Sequence, residues 1–121
     1  MLQPLQLDLV ARRNADFRET YNLSVDGVDI DLTSVTLAMQ IRDHLGSTGA
    51  FLLEPTVTIT DPTDGIFVID IPQENVDALP INVTRLDESP SYVYDIRVTY
   101  ADGFMEMLME GKFTTRLGVY A

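Results

Sequence analysis

Apolar residues recur at every second position through most of this chain, and that period constrains the fold more than any other feature. Successive side chains of a strand point to opposite faces, so alternation marks a ribbon with one face in a core and the other in water. The longest run is Tyr92, Tyr94, Ile96, Val98 and Tyr100, separated by Val93, Asp95, Arg97 and Thr99. Val35, Leu37, Met39 and Ile41 form a second, interleaved with Thr36, Ala38, Gln40 and Arg42. Leu5, Leu7 and Leu9, then Phe17, Tyr21, Leu23 and Val25, then Val57 and Ile59 among threonines, repeat the pattern. Ile66 to Ile71 is apolar at both phases until Asp70, which predicts a central strand.

The interruptions carry turn chemistry. Asp26-Gly27 suits the positive φ angles of a tight hairpin, and Asp61-Pro62-Thr63-Asp64-Gly65 combines a preset proline φ with a glycine that tolerates the left-handed region. Ala101-Asp102-Gly103 turns the Tyr92 strand back into Phe104 to Glu110, and Gly111 is expected to host a bulge before Lys112-Phe113-Thr114. His44 to Ala50 reads as a loop. Pro72 to Leu79 is the one helical candidate, with proline in the first turn, acids near the N-terminal end, and Val76 and Leu79 on one side. Pro80 to Pro90 reads as a connection whose Ile81, Val83 and Leu86 tuck against the body.

About seven or eight short strands separated by turns, with almost no helix, predict an all-β fold: an antiparallel Ig-like β-sandwich with one short helical turn. A small barrel is the main rival. A length of 121 residues suits a single domain spanning residues 1–121, with short terminal arms at about residues 1–9 and 117–121.

Composition removes several kinds of chemistry. The absence of cysteine excludes disulfide scaffolds, thiol nucleophiles and cysteine metal sites. The single histidine, His44, leaves no multi-histidine metal site. A formal charge of −11 has the wrong sign for holding phosphates, so nucleic acid and anionic membrane surfaces are poor partners. No apolar stretch approaches the roughly 18 residues of a membrane span, and the Arg12-Arg13 pair follows its short apolar stretch, the reverse of a signal peptide. The chain therefore reads as soluble.

Residue by residue, the chemistry is thin. Asp26, Asp29 and Asp31 could converge on calcium, yet that ion takes six to eight oxygens and no EF-hand run is present, so a solvated turn is the simpler reading. Asp61 and Asp64 are accounted for as turn formers, and His44 as a loop residue. No nucleophile, base and orienter set exists, so the chain is expected to be no enzyme and to hold no cofactor or metal. Tyr92, Tyr94 and Tyr100 could form a platform for sugars, but core packing with hydroxyls at the rim is the simpler reading. Because Glu106 and Glu110 are costly to bury, Met105, Met107 and Met109 are expected inside, leaving Phe104 and Leu108 outside as partner contacts. Leu2, Leu5 and Leu7, with Leu117, Val119 and Tyr120, are candidate contacts in the arms.

The order of the strand phrases adds a resemblance. Asp31-Leu32-Thr33 leads into a strand ending Gln40-Ile41-Arg42-Asp43. Tyr92-Val93-Tyr94-Asp95-Ile96-Arg97-Val98-Thr99 precedes one ending Glu110-Gly111-Lys112-Phe113-Thr114. Over roughly residues 15 to 115 this succession resembles the small β-sandwich domains of tailed-phage virion proteins, in particular the N-terminal sandwich of baseplate upper proteins and related tail-fibre adaptor proteins. The resemblance brings no catalytic residue. It implies a non-enzymatic virion structural protein, made in the host cytoplasm, that binds tail, neck or capsid subunits as a connector or a decoration subunit, as a homo-oligomer or in many copies. The alternative is a carbohydrate-binding or adhesin-like module that uses the tyrosines.

Overall fold

A computed structural model describes residues 5–43, 51–81, 83 and 89–116. In chain order its strands are β1 (Leu5–Gln6), β2 (Leu9–Arg12), β3 (Phe17–Asn22), β4 (Ser24–Val25), β5 (Val28–Asp29), β6 (Thr36–Arg42), β7 (Thr56–Asp61), β8 (Ile66–Ile71), β9 (Ser91–Thr99) and β10 (Met105–Arg116). One helix, α1 (Gln73–Asp77), lies between β8 and β9.

Alternation placed the main strands correctly because each has one covered face. In the larger sheet β9 lies between β6 and β10, antiparallel to both, and β1 and β2 run along the far side of β10. In the smaller, β8 is central between β3 and β7, as its doubly apolar sequence requires. The inner faces meet in one core: Tyr92, Tyr94, Ile96 and Val98 of β9 with Met39 and Ile41 of β6, and Phe67, Ile69 and Ile71 of β8. Phe17 meets Phe113 edge-on across the sheets, ring centroids 5.6 Å apart. Each such buried side chain stabilises the fold by about 1.5–3 kcal/mol relative to exposure. Two separate sheets over one core make a sandwich rather than a barrel. Among the described residues the one parallel pairing is that of β1 and β2 with β10.

The Asp26-Gly27 hairpin forms between β4 and β5, with φ of 52° and 79° at its two turn residues. The helix also falls where expected, and its Val76 and the following Leu79 are buried. Pro72 precedes the helix and offers no side-chain cap. Asp16 supplies one instead, its Oδ1 accepting the Gln73 N–H at 2.7 Å.

Arg13, at the end of β2, fixes the other end of the helix. Nη1 donates to the Asp77 carbonyl at 3.1 Å, and Nη2 to the Leu79 carbonyl at 2.9 Å and the Tyr92 hydroxyl at 3.0 Å. The Tyr92 hydroxyl itself donates to the Pro80 carbonyl. A tyrosine at the start of a strand bonding back to upstream backbone is the tyrosine corner of Ig-like sandwiches.

Four expectations need correction. Of the N-terminal arm expected at about residues 1–9, the described residues 5–9 belong to the sheet of their own chain: Leu5, Gln6 and Leu9 pair with β10, and Leu9 is buried because it faces the core. Ile81 is exposed instead of tucked in. The bulge in β10 falls between Met107 and Met109, not at Gly111. It reverses the phase of the strand, so Leu108 and Met109 are buried while Met105 is exposed, and Leu108 is a core residue rather than a partner contact. Gly111 has another role. A Cβ there would lie 2.3 Å from the Leu7 carbonyl oxygen, so only glycine lets the N-terminal strand approach so closely.

Candidate functional site

The surface that single-molecule packing explains least is the edge formed by β1 and β2. β1 and β2 follow one another along the far side of β10, so the larger sheet is four strands wide against the three of the smaller. Leu5 shares the inner face of its neighbour Met109 yet is 45% exposed, and Leu7 is 37% exposed. Val10, on the opposite face, is 47% exposed.

The segment is nonetheless held firmly. Leu7 N–H donates to the Glu110 carbonyl and Arg13 N–H to the Arg116 carbonyl, each at 3.0 Å. The ladder breaks at Leu7-Asp8, and side chains close the gap. The Asp8 carboxylate accepts the Lys112 N–H at 3.0 Å, and the buried Tyr94 hydroxyl donates to the Leu7 carbonyl. Burial, then nearby Tyr21, Asp8 and Glu110, pushes that phenol well above its ordinary range. Since alternate residues of a strand bond to opposite sides, the backbone groups of Val10 and Arg12 point away from the sheet. Among the described residues no strand pairs with that side of β2, and an edge bearing exposed apolar side chains can add an extended segment of another chain.

A second exposed apolar group sits at one end of the sandwich. Phe104 and Met105 are both 56% exposed, and the Phe104 ring stacks on Tyr100 at 6.1 Å. The Tyr100 hydroxyl donates to Glu106 Oε2 at 2.7 Å, and this bond raises its pKa. The same end carries the β4–β5 tip, with Val25 and Val28 exposed, and the Asp61-to-Gly65 turn.

The acids at this end do not gather round a common point. Asp31 turns onto Thr33, accepting from its backbone N–H at 2.9 Å and its hydroxyl at 2.5 Å, and these bonds lower its pKa. Asp29 accepts from the Asn22 amide at 3.3 Å. Asp61 accepts from the Asp64 N–H and the Thr63 hydroxyl, and its charge is the main reason the Asp64 pKa is raised. Among the described residues no group of three or more acids or histidines could hold a metal ion.

Of the contacts expected from sequence, Leu5, Leu7 and Phe104 are exposed and Leu108 is not. Leu2, Leu117, Val119, Tyr120 and His44 lie outside the described residues. Tyr92 and Tyr94 are buried, so neither offers a ring face to a sugar. Sequence reasoning missed Val10 because Leu9-Val10-Ala11 is apolar at both phases and shows no outward position. It missed Met105 because the bulge was not visible.

Two facing sheets, the first strands parallel to the last, and the Tyr92 corner define an Ig-like β-sandwich. No protein-family model and no curated protein matches the chain. Among solved structures it is similar to CopC from Methylosinus trichosporium OB3b, at 18% identity over 90% of this chain and 85% of that one, with a TM-score of 0.45. It is also similar to murine CRIg, at 11% identity over 92% of each chain, with a TM-score of 0.42. The fold class rests on the strand pairing described above.

Proposed function

We propose that this chain is a non-enzymatic structural subunit of a tailed-phage virion, a small tail, baseplate or fibre adaptor or a capsid decoration subunit, that acts by binding neighbouring protein subunits. The observation that carries this reading is the β1–β2 edge, where Leu5, Leu7 and Val10 stay exposed although their backbone is clamped to β10. A rigid apolar edge with outward backbone groups suits strand addition by a partner, which supplies affinity through main-chain bonds and specificity through side-chain pockets. The resemblance of its strand phrases to those of virion sandwiches supports the same reading. Of the three tyrosines on which the sugar-binding alternative rests, Tyr92 and Tyr94 are buried and Tyr100 is partly exposed.

Leu5→Asp and Val10→Asp change exposed side chains and are expected to leave the sandwich folded while removing the subunit from purified particles, as counted by quantitative mass spectrometry. Folded variants that enter particles at the wild-type copy number, or a wild-type chain absent from particles, would sink the proposal.

A further inference from the structure

Two arginines at the β2–β10 edge have no counter-charge among the described residues. The two strands run parallel and in register, so Arg12 stands beside Arg116 and Val10 beside Thr114. All four lie on the outer face of the sheet, since their neighbours Leu9, Ala11, Phe113 and Thr115 are buried. Both arginines are exposed, and among the described residues neither side chain makes an ion pair or a hydrogen bond. Exposed Lys112 continues the same face of β10. Along these strands the acids are Asp8, whose carboxylate already accepts the Lys112 N–H at 3.0 Å, and Glu110 and Glu106 further down β10.

Like charges at paired positions destabilise a sheet, so a carboxylate brought to this pair from outside would stabilise it. The chain holds nineteen acids and only eight bases, yet two of those bases are spent side by side here. Beside them, the backbone N–H and C=O groups of Val10 and Arg12 point away from the sheet.

We infer that the segment received by this edge is acidic: an extended stretch of a partner protein that adds to β2, sets a carboxylate beside Arg12 and Arg116, and two residues away sets an apolar side chain beside Val10. The inference rests on the edge reading above and names the chemistry of its partner. An added strand lies about 4.8 Å beyond β2 and about twice that from β10, within the combined reach of arginine and glutamate side chains. Guanidinium groups take carboxylates through paired N–H donors, which fixes the register of the incoming strand.

Other occupants answer the edge less well. Nucleic acid offers no peptide groups to the outward backbone, and a net charge of −11 repels a polyanion. A second copy, paired antiparallel about Val10, would set Arg12 against Asp8 of the other copy, an acid already bound to Lys112 N–H.

Heteronuclear NMR titrations of the purified chain at about 20 mM salt test the inference. The probes are the peptides acetyl-Thr-Thr-Val-Thr-Glu-Thr-amide and acetyl-Thr-Glu-Thr-Val-Thr-Thr-amide, which cover the two strand directions. At least one is expected to shift the Val10 and Arg12 amides with a dissociation constant of about 1 mM. Replacing its glutamate by glutamine should weaken binding about fivefold or more, and so should the double variant Arg12→Gln, Arg116→Gln. The glutamine peptide keeps the test decisive if that variant fails to fold. Equal binding of the glutamine peptide, no binding up to about 10 mM, or equal shifts with a thymidine octanucleotide overturns the inference. Doubling of the mass of the chain alone, abolished in the double variant, also overturns it by giving the edge to a second copy. Particles that admit the folded double variant at the wild-type copy number but exclude Val10→Asp would sink this inference alone. Peptide binding by a chain absent from particles would sink the virion reading alone.

Discussion

Arg13 shows how much one side chain can hold in a chain without disulfides. It is 8% exposed, and its bonds to Asp77, Leu79 and Tyr92 tie the end of β2 to the helix and to β9. Arg13→Met fills similar space but leaves the buried Leu79 carbonyl and the partly buried Asp77 carbonyl without this donor, and is expected to lower unfolding stability in urea by about 2–4 kcal/mol. Tyr92→Phe should cost about 1–2 kcal/mol, and the double variant less than the sum, because the two residues share a bond. Tyr21 makes a different prediction, in pH. Burial, and then the charge of Glu19, pushes its phenol from the ordinary 10.0 up to about 12. Between those values the unfolded chain has released the proton that the folded chain keeps, so the folded state binds more protons and stability falls as pH rises. The contribution is fully present below pH 10.0 and lost as pH passes about 12. Tyr21→Phe retains the ring stacked on Phe67 at 5.5 Å, so thermal melts should show little change at pH 7 and a shallower loss across that alkaline window.

At the scale of elements, β10 separates what alternation can reveal from what it cannot. Leu108→Asp, which puts a charge in the core, is expected to destabilise by more than about 3 kcal/mol, whereas the exposed Phe104→Asp should stay within about 0.5 kcal/mol. Chemical denaturation of both variants checks the assigned phase. The sequence could not yield that phase because Met105, Met107 and Met109 on one side and Phe104 and Leu108 on the other are both apolar sets. The bulge that decides between them appears only in the register, where β9 residues Arg97 and Ile96 face Met107 and Met109. By contrast β6, β8, β9 and the hairpin at Asp26-Gly27 were legible, since polar neighbours or turn residues mark each locally. Of the site, Leu5, Leu7 and Phe104 were legible as exposed apolar residues. That β1 and β2 are strands laid parallel to β10 was not, because parallel pairing leaves no local turn to read. Gly111→Ala tests the contact that this pairing creates: a Cβ pressed against the Leu7 carbonyl is expected to cost about 1–3 kcal/mol.

For the molecule as a whole, charge and topology make the remaining predictions. A net charge of −11, with Asp26, Asp29, Asp61 and Asp64 near one end, means that acids repel one another more in the compact state than in the open chain. Raising ionic strength from about 10 mM to about 150 mM shortens the screening length from about 30 Å to about 8 Å, so the melting temperature should rise by a few degrees. A melting temperature that falls with salt would contradict this account. Topology acts on time. Because β10 lies between β9 and the first two strands, Leu5, Leu7 and Leu9 have no place to dock until β10 has been made. They find it only once residues up to Arg116 have emerged, by a pairing that joins residues far apart in the sequence. The edge proposed for partner binding is therefore assembled only after β10 has emerged, and a translation product truncated before β10, having no such edge, cannot compete for a subunit's place.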